Sequence, residues 1–235
     1  MPNTRASLML VPMIAGACGA VRSTPEGVDA PASLASSCAE LGATSADMNV
    51  RLYLDGDAMK PYSAHCSAAL RTYIPLEGTN LSSYPVGGCG ARAPNATVGV
   101  TTTWQMVRFD TVMHAIDTGD YMFATLTGGT HESSGNGMFE HDYLNIPFGS
   151  GRSCISGTAQ TVATIDLTGT HFALAASQAW AADGFSAETE AAINPQRTKA
   201  TITAKGFPVG ASPCAPNADY YTVNGGTCIQ LEYVP

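Results

Sequence analysis

The string NVRLYLDGDAMKPYSAHC occupies residues 49–66, and its rhythm decides the fold. Asn49 to Leu54 alternates in polarity, Lys60 to Cys66 carries a second strand-like run, and Asp55-Gly56-Asp57 stands between them. Alternation sends successive side chains to opposite faces of a strand, while an Asp/Gly cluster supplies the positive φ that a tight reversal requires. The stretch therefore predicts a β-hairpin. Just upstream, Ser37 precedes Cys38-Ala39-Glu40-Leu41 and then Gly42. That is the order of an N-cap, one short helical turn and a glycine stop.

Outward from this hairpin, strand-like segments recur at Arg71 to Leu76, Thr97 to Phe109, Val112 to Ile116, Tyr121 to Thr127, Val162 to Leu167, His171 to Ala175, Thr198 to Lys205 and Thr227 to Val234, with Gly, Asn, Asp or Pro in most gaps. Ser177 to Ile193 is the one longer helical expectation, and the Gly/Ser-rich stretch from Gly128 to Gly151 reads as a long loop. The class expected is mainly β (a β-rich α+β chain): two packed, mostly antiparallel sheets with short helical turns, stapled by disulfides.

The N-terminus sets the compartment. Arg5 is followed by a short apolar run, Ala6 to Ile14, and by Ala15-Gly16-Ala17 before Cys18. This is the pattern of an export signal, too short to span a bilayer as a mature helix. Ala15-Gly16-Ala17-Cys18 is similar to a bacterial lipobox, in which the cysteine is acylated. The expected organisation is a signal peptide at 1–17, a flexible Ala/Ser/Pro/Gly tether at 18–36, and a folded domain at 37–235, exported to the bacterial cell envelope or released outside it. If Cys18 carries lipid, six of the seven cysteines remain. Cys38, Cys66, Cys89, Cys154, Cys214 and Cys228 contain no C-x-x-C pair, so a disulfide framework is expected rather than a metal cluster. Fifteen pairings are open. The set Cys38–Cys66, Cys89–Cys154 and Cys214–Cys228 is preferred because each closes a loop between predicted strands. The formal charge is −8 with no Lys/Arg run. Nucleic acid and anionic lipid are thereby poor partners, and a membrane is expected to be met only through the N-terminal lipid anchor.

A zincin needs His-Glu-x-x-His so that two imidazoles one helical turn apart hold the metal. His131-Glu132 is the only such start, and Gly135 stands where the second histidine belongs. His131, Glu132, His141 and Asp142, with Glu140, have ligand chemistry suited to zinc and are candidate metal ligands, although solvated loop polarity is the simpler reading of them. Carboxylate pairs at Asp55/Asp57 and Asp117/Asp120 raise glycoside hydrolysis or calcium binding, but Asp beside Gly is ordinary turn chemistry. No Gly-x-Ser-x-Gly elbow occurs, so no catalytic residue is assigned and no cofactor is expected. His65 and His171 read as sheet residues. Trp104, Tyr53, Tyr62, Tyr73, Trp180, Tyr220 and Tyr221 read as core aromatics before they read as a binding platform. Asn80-Leu81-Ser82 and Asn95-Ala96-Thr97 are sequons.

The order of these elements resembles the GON domain, a module at the C-termini of some ADAMTS-type secreted zinc metalloproteases and also found as stand-alone bacterial proteins. The residues that carry the resemblance are Ser37-Cys38-Ala39-Glu40-Leu41, Leu52-Tyr53-Leu54-Asp55-Gly56, Lys60-Pro61-Tyr62-Ser63-Ala64-His65-Cys66, Arg71-Thr72-Tyr73-Ile74-Pro75-Leu76, Val107-Arg108-Phe109-Asp110, Asp120-Tyr121-Met122-Phe123-Ala124-Thr125-Leu126-Thr127-Gly128, Ile165-Asp166-Leu167-Thr168-Gly169-Thr170-His171-Phe172 and Ile229-Gln230-Leu231-Glu232-Tyr233-Val234. The resemblance implies a non-catalytic binding or adhesion module for a surface or extracellular protein or glycan. Zinc and metalloendopeptidase activity attach to the family through the proteases that carry the domain, and a fold does not transmit chemistry without the site. The alternative expectation is a metalloendopeptidase-associated function or another secreted hydrolase. Intact mass spectrometry of the mature protein is expected to show an acyl group on Cys18 and a deficit of two hydrogens for each of three disulfides.

Overall fold

The computed structural model describes residues 34–84, 99–133, 140–143, 145–151, 161–178, 180–182, 188–205, 209–211 and 228–235. The chain starts as its sequence predicts. Ser37 caps helix α1 (Cys38–Leu41), its hydroxyl accepting the Glu40 N–H at 3.3 Å, and Gly42 ends the turn at φ 76°. The Glu40 carboxylate reaches back to the Ser36 N–H at 2.7 Å and the Ser36 hydroxyl at 2.8 Å. These bonds hold the carboxyl below its usual range.

Among the described residues there are seventeen strands: β1 (Met48–Tyr53), β2 (Pro61–Cys66), β3 (Thr72–Pro75), β4 (Leu81–Tyr84), β5 (Val100–Trp104), β6 (Met106–Asp110), β7 (Ala115–Asp117), β8 (Ala124–Thr127), β9 (Thr130–Ser133), β10 (Glu140–Tyr143), β11 (Thr161–Asp166), β12 (Phe172–Leu174), β13 (Trp180–Ala182), β14 (Glu188–Ile193), β15 (Lys199–Lys205), β16 (Val209–Ala211) and β17 (Cys228–Tyr233). They build a seven-stranded sheet in the order β1-β2-β3-β6-β7-β17-β12 and a six-stranded sheet in the order β14-β15-β11-β4-β5-β8. Two-stranded ribbons, β9-β10 and β13-β16, complete the set. All pairings are antiparallel. The mainly β class with two sheets is thus the class of the protein.

The predicted hairpin is β1-β2, in register from Met48↔Cys66 to Tyr53↔Pro61, with Asp55 and Gly56 at φ 57° and 69° in its turn. One side chain set of the seven-stranded sheet (Leu52, Tyr62, Ile74, Val107, Phe109, Ile116, Ile229) meets Trp104, Ala163, Ile165, Ala200 and Ile202 of the six-stranded sheet in a single apolar cluster. The larger sheet also curls. Across a flat sheet, β2 and β17 would lie about 19 Å apart at the usual strand spacing. Yet the Tyr233 hydroxyl donates to the Pro61 carbonyl at 3.1 Å, and the Tyr62 ring sits edge-on to Phe109 at 5.8 Å and to Phe172 at 5.3 Å. The three aromatic rings fill the concave side.

Four expectations change. Thr97 to Phe109 is not one strand: β5 belongs to the smaller sheet and β6 to the larger, with the chain turning at Gln105. The Gln105 carbonyl accepts the Leu76 N–H and its N–H donates to Phe123, at 2.9 and 3.1 Å, so the corner is bonded from both sides. Ser177 to Ile193 holds no described helix; β13 and β14 lie there instead, the latter extending the sheet through β15. Tertiary pairing overrides a weak helical pattern at such a site. The stretch Gly128 to Gly151 contains the β9-β10 ribbon and a buried return in which Ile146 and Phe148 pack inward. Gly149, at φ 66°, allows that return: a Cβ there would lie 2.6 Å from the Ile229 Cδ1 atom. The structure also adds β4, a strand between β11 and β5 that the sequence pattern does not predict.

Of the expected bridges, Cys38–Cys66 is formed and closes 28 residues, fastening α1 to the end of β2. Cys228 is also disulfide-bonded, while Cys89, Cys154 and Cys214, like Cys18 and the signal and tether up to residue 33, lie outside the described residues. By loop closure the first bridge contributes about 3–4 kcal/mol. Replacing Cys38 and Cys66 together by Ser is expected to lower the melting temperature by about 10 °C, read by calorimetry; an unchanged melt refutes the staple.

Candidate functional site

The register of the seven-stranded sheet lines up polar residues that the sequence scatters. Asn49 faces His65, His65 faces Tyr73, Tyr73 faces Arg108, and Arg108 faces Asp117. Directly opposed residues share a face, so this row crosses five strands on the side away from the core. The turn after β7 folds over it. Phe123 lays its ring edge-on to His65 at 5.2 Å and to Tyr73 at 4.8 Å.

Asp120 is the centre of the cluster, with its side chain only 7% exposed. One oxygen accepts the Tyr73 hydroxyl at 2.9 Å and lies 3.5 Å from Arg71 and 3.9 Å from Arg108; the other accepts the Met122 N–H at 3.0 Å. Asp117 divides its oxygens the same way, between Arg108 at 3.0 Å and the Gly119 N–H at 3.1 Å. The pair therefore does turn work on one side and charge neutralisation on the other. Burial of Tyr73, reinforced by its bond to Asp120, raises its hydroxyl to about 12, so at neutral pH it donates and cannot serve as a base. His65 has Nδ1 3.0 Å from the Asn49 amide oxygen. Because that oxygen only accepts, Nδ1 carries the proton. Its Nε2 is buried with no hydrogen-bond partner among the described residues, 3.6 Å from the Asp47 carboxylate.

The other carboxylate pair is likewise occupied. Asp55 meets His114 Nε2 at 2.8 Å and Lys60 at 3.4 Å, and Asp57 accepts the Met59 N–H at 2.8 Å. Burial pushes the Asp55 carboxyl up, but the His114 and Lys60 contacts outweigh it and the net direction is down. At the far edge, Glu232 holds Arg197 at 2.6 Å and the Ala176 N–H at 2.8 Å.

For the candidate metal ligands, the backbone register sets His131 opposite Asp142 and Glu132 opposite His141 on the β9-β10 ribbon; their side chains are outside the described ones. Among the described residues, no group of three or more His, Cys, Asp or Glu is placed to hold a metal ion, and no helix is long and apolar enough to cross a membrane. His171 stacks on Tyr233 at 5.8 Å. Trp104, Tyr62 and Tyr73 are buried and Trp180 packs against the core, while Tyr220, Tyr221 and Asn95 lie outside the described residues. Asn80 is 2% exposed; its amide donates to the Gly78 and Asp166 carbonyls and its oxygen accepts the Asp166 N–H at 2.7 Å. An Asn so used cannot also carry a glycan in the folded state.

Sequence reasoning missed Arg71, Arg108 and His114 as partners. A signal for one exists: Arg108 and Asp117 are equidistant from the centre of the β6-β7 turn, so pairing those runs as a hairpin sets them face to face. The chain matches no family model, no curated protein and no solved structure.

Tyr73 is expected to ionise near 12, well above an ordinary tyrosine though below the more deeply buried Tyr62 and Tyr121, seen as a late step of an absorbance titration near 295 nm that is lost in Tyr73→Phe. Because its folded value is raised, its contribution to stability is full below about pH 10 and is lost as the pH rises toward 12. Asp120→Ala, which takes the carboxylate acceptor from the buried Tyr73 hydroxyl and from the Met122 N–H while Arg108 keeps Asp117, is expected to cost about 1–3 kcal/mol in denaturant unfolding.

Proposed function

We propose that the protein is a non-catalytic binding or adhesion module of GON type, exported and either anchored at the cell envelope through Cys18 or extracellular. The observation that supports this best is the commitment of the polar face to itself. Around Asp120, hydroxyl, carboxylates and guanidiniums are paired with one another, an arrangement that fixes a surface and leaves Asp117 and Asp120 occupied rather than poised for proton transfer. The resemblance along Cys38 to Val234 points the same way, as does the Cys38–Cys66 bridge, since disulfides persist in oxidising compartments. The partner class is a surface or extracellular protein or glycan.

A metal-assisted secreted hydrolase is the second reading. It is favoured by one observation, that the register brings His131 opposite Asp142 and Glu132 opposite His141 on a single ribbon, a set of ligand types that suits zinc. The two readings separate cleanly. Purified full chain is expected to hold less than 0.1 equivalent of zinc by elemental analysis and to leave casein and a mixed peptide library intact with or without chelator. Stoichiometric zinc with chelator-sensitive cleavage would replace the first reading by the second.

A further inference from the structure

Two turns that are distant in sequence form one apolar tip. Met59, in the β1-β2 turn, is 81% exposed, and Val112 and Met113, in the β6-β7 turn, are 89% and 47% exposed. The Asp55–His114 contact at 2.8 Å ties the turns together. Both are stiff. Asp57 accepts the Met59 N–H at 2.8 Å, and Asp110 accepts the N–H groups of Val112 and Met113 at 2.9 Å each. The apolar side chains therefore stand on Asx-type turns that hold them outward, and clustered exposed apolar residues mark a contact surface.

Charge and chain path select the occupant. Asp55, Asp57 and Asp110 surround the tip, and Lys60 and His114 are both spent on Asp55. An anionic surface is repelled there, whereas a zwitterionic bilayer carries no net charge to oppose the carboxylates and has a hydrocarbon layer that takes the apolar side chains. The Tyr53 N–H donates to the Ala35 carbonyl at 3.0 Å, so Leu34, itself 36% exposed, stands at the end of β1 that leads into the Met59 turn. From Cys18 to Leu34 the chain can span at most about 55 Å, and an acyl group on Cys18 would keep the tip at high effective concentration near a bilayer.

We propose that Met59, Val112 and Met113 insert into the interface of a zwitterionic lipid bilayer, so that the domain rests on the membrane as well as being tethered to it. This deepens the surface-anchored reading and rests on it for the membrane's proximity, while insertion itself needs no acyl group. The test uses full chain carrying Cys18→Ser, floated with vesicles of phosphatidylcholine and phosphatidylethanolamine, and with the same vesicles containing one third phosphatidylglycerol. The unacylated chain is expected to float with the neutral vesicles and several-fold less with the anionic ones. Met59→Asp with Val112→Asp is expected to cut partitioning at least tenfold, Val112→Ser alone to lower it severalfold, and Met48→Asp, at the other end of β1, to leave it unchanged, all with near-ultraviolet dichroism like the parent. Absence of flotation with neutral vesicles, flotation confined to anionic ones, or equal partitioning of the tip variants overturns the proposal. Intact mass of the wild-type chain reports acylation of Cys18 separately, so loss of the anchor reading and loss of the insertion proposal are told apart.

Discussion

The curl of the seven-stranded sheet around Tyr62, Phe109 and Phe172 is the constraint on which the remaining structure depends. Three rings in edge-on and tilted contact, with centroids 4.9–5.8 Å apart, bring strands from opposite ends of the sheet together. The Tyr233–Pro61 bond is a consequence of that closure, and so is the Asp55–His114 contact. The same curvature turns the polar row outward and joins the Met59 turn to the Val112 turn. Edge-on aromatic pairs contribute about 0.5–1.5 kcal/mol each beyond the area they bury, and here they also decide which turns become neighbours.

The second constraint is that the chain repeatedly changes sheet. From β3 to β4, from β5 to β6 and from β7 to β8 it crosses between the larger and the smaller sheet. Each crossing stitches the layers covalently, and the buried Asn80 amide sits in one of them, bonded to the Asp166 backbone of β11. The crossing after β7 is the one that lowers Asp120 and Phe123 onto the row of β2, β3 and β6. Fold and candidate site are therefore one construction: the corner that links the layers also closes the polar cluster.

Much of this was readable in the residues. The Ser37 cap, the Gly42 stop and the β1-β2 hairpin all rest on local rules, where a few adjacent side chains settle the outcome. The break at Gln105 was also written in the chain, though harder to see. Buried positions fall at Val100, Thr102 and Trp104 and then at Val107 and Phe109, so the inward parity shifts by one residue across the corner. A period-2 pattern cannot skip phase and remain one flat strand. The expected helix in Ser177 to Ile193 and the expected loop in Gly128 to Gly151 failed for the opposite reason. In both, composition is weak in any period, and pairing with distant strands supplied the structure.

The amino-acid sequence by itself determined the strand class, the first hairpin and the capped turn, because each depends on spacing within a short length of chain; it made Cys38–Cys66 one preferred pairing among fifteen, and the structure selected it. The tertiary structure alone decided that Arg71, Tyr73, Arg108, Asp117 and Asp120 form one cluster and that Met59 shares a tip with Val112. Such neighbours are fixed by strand order, register and curvature, which are sums over the whole fold and leave no trace in the local pattern of any one segment.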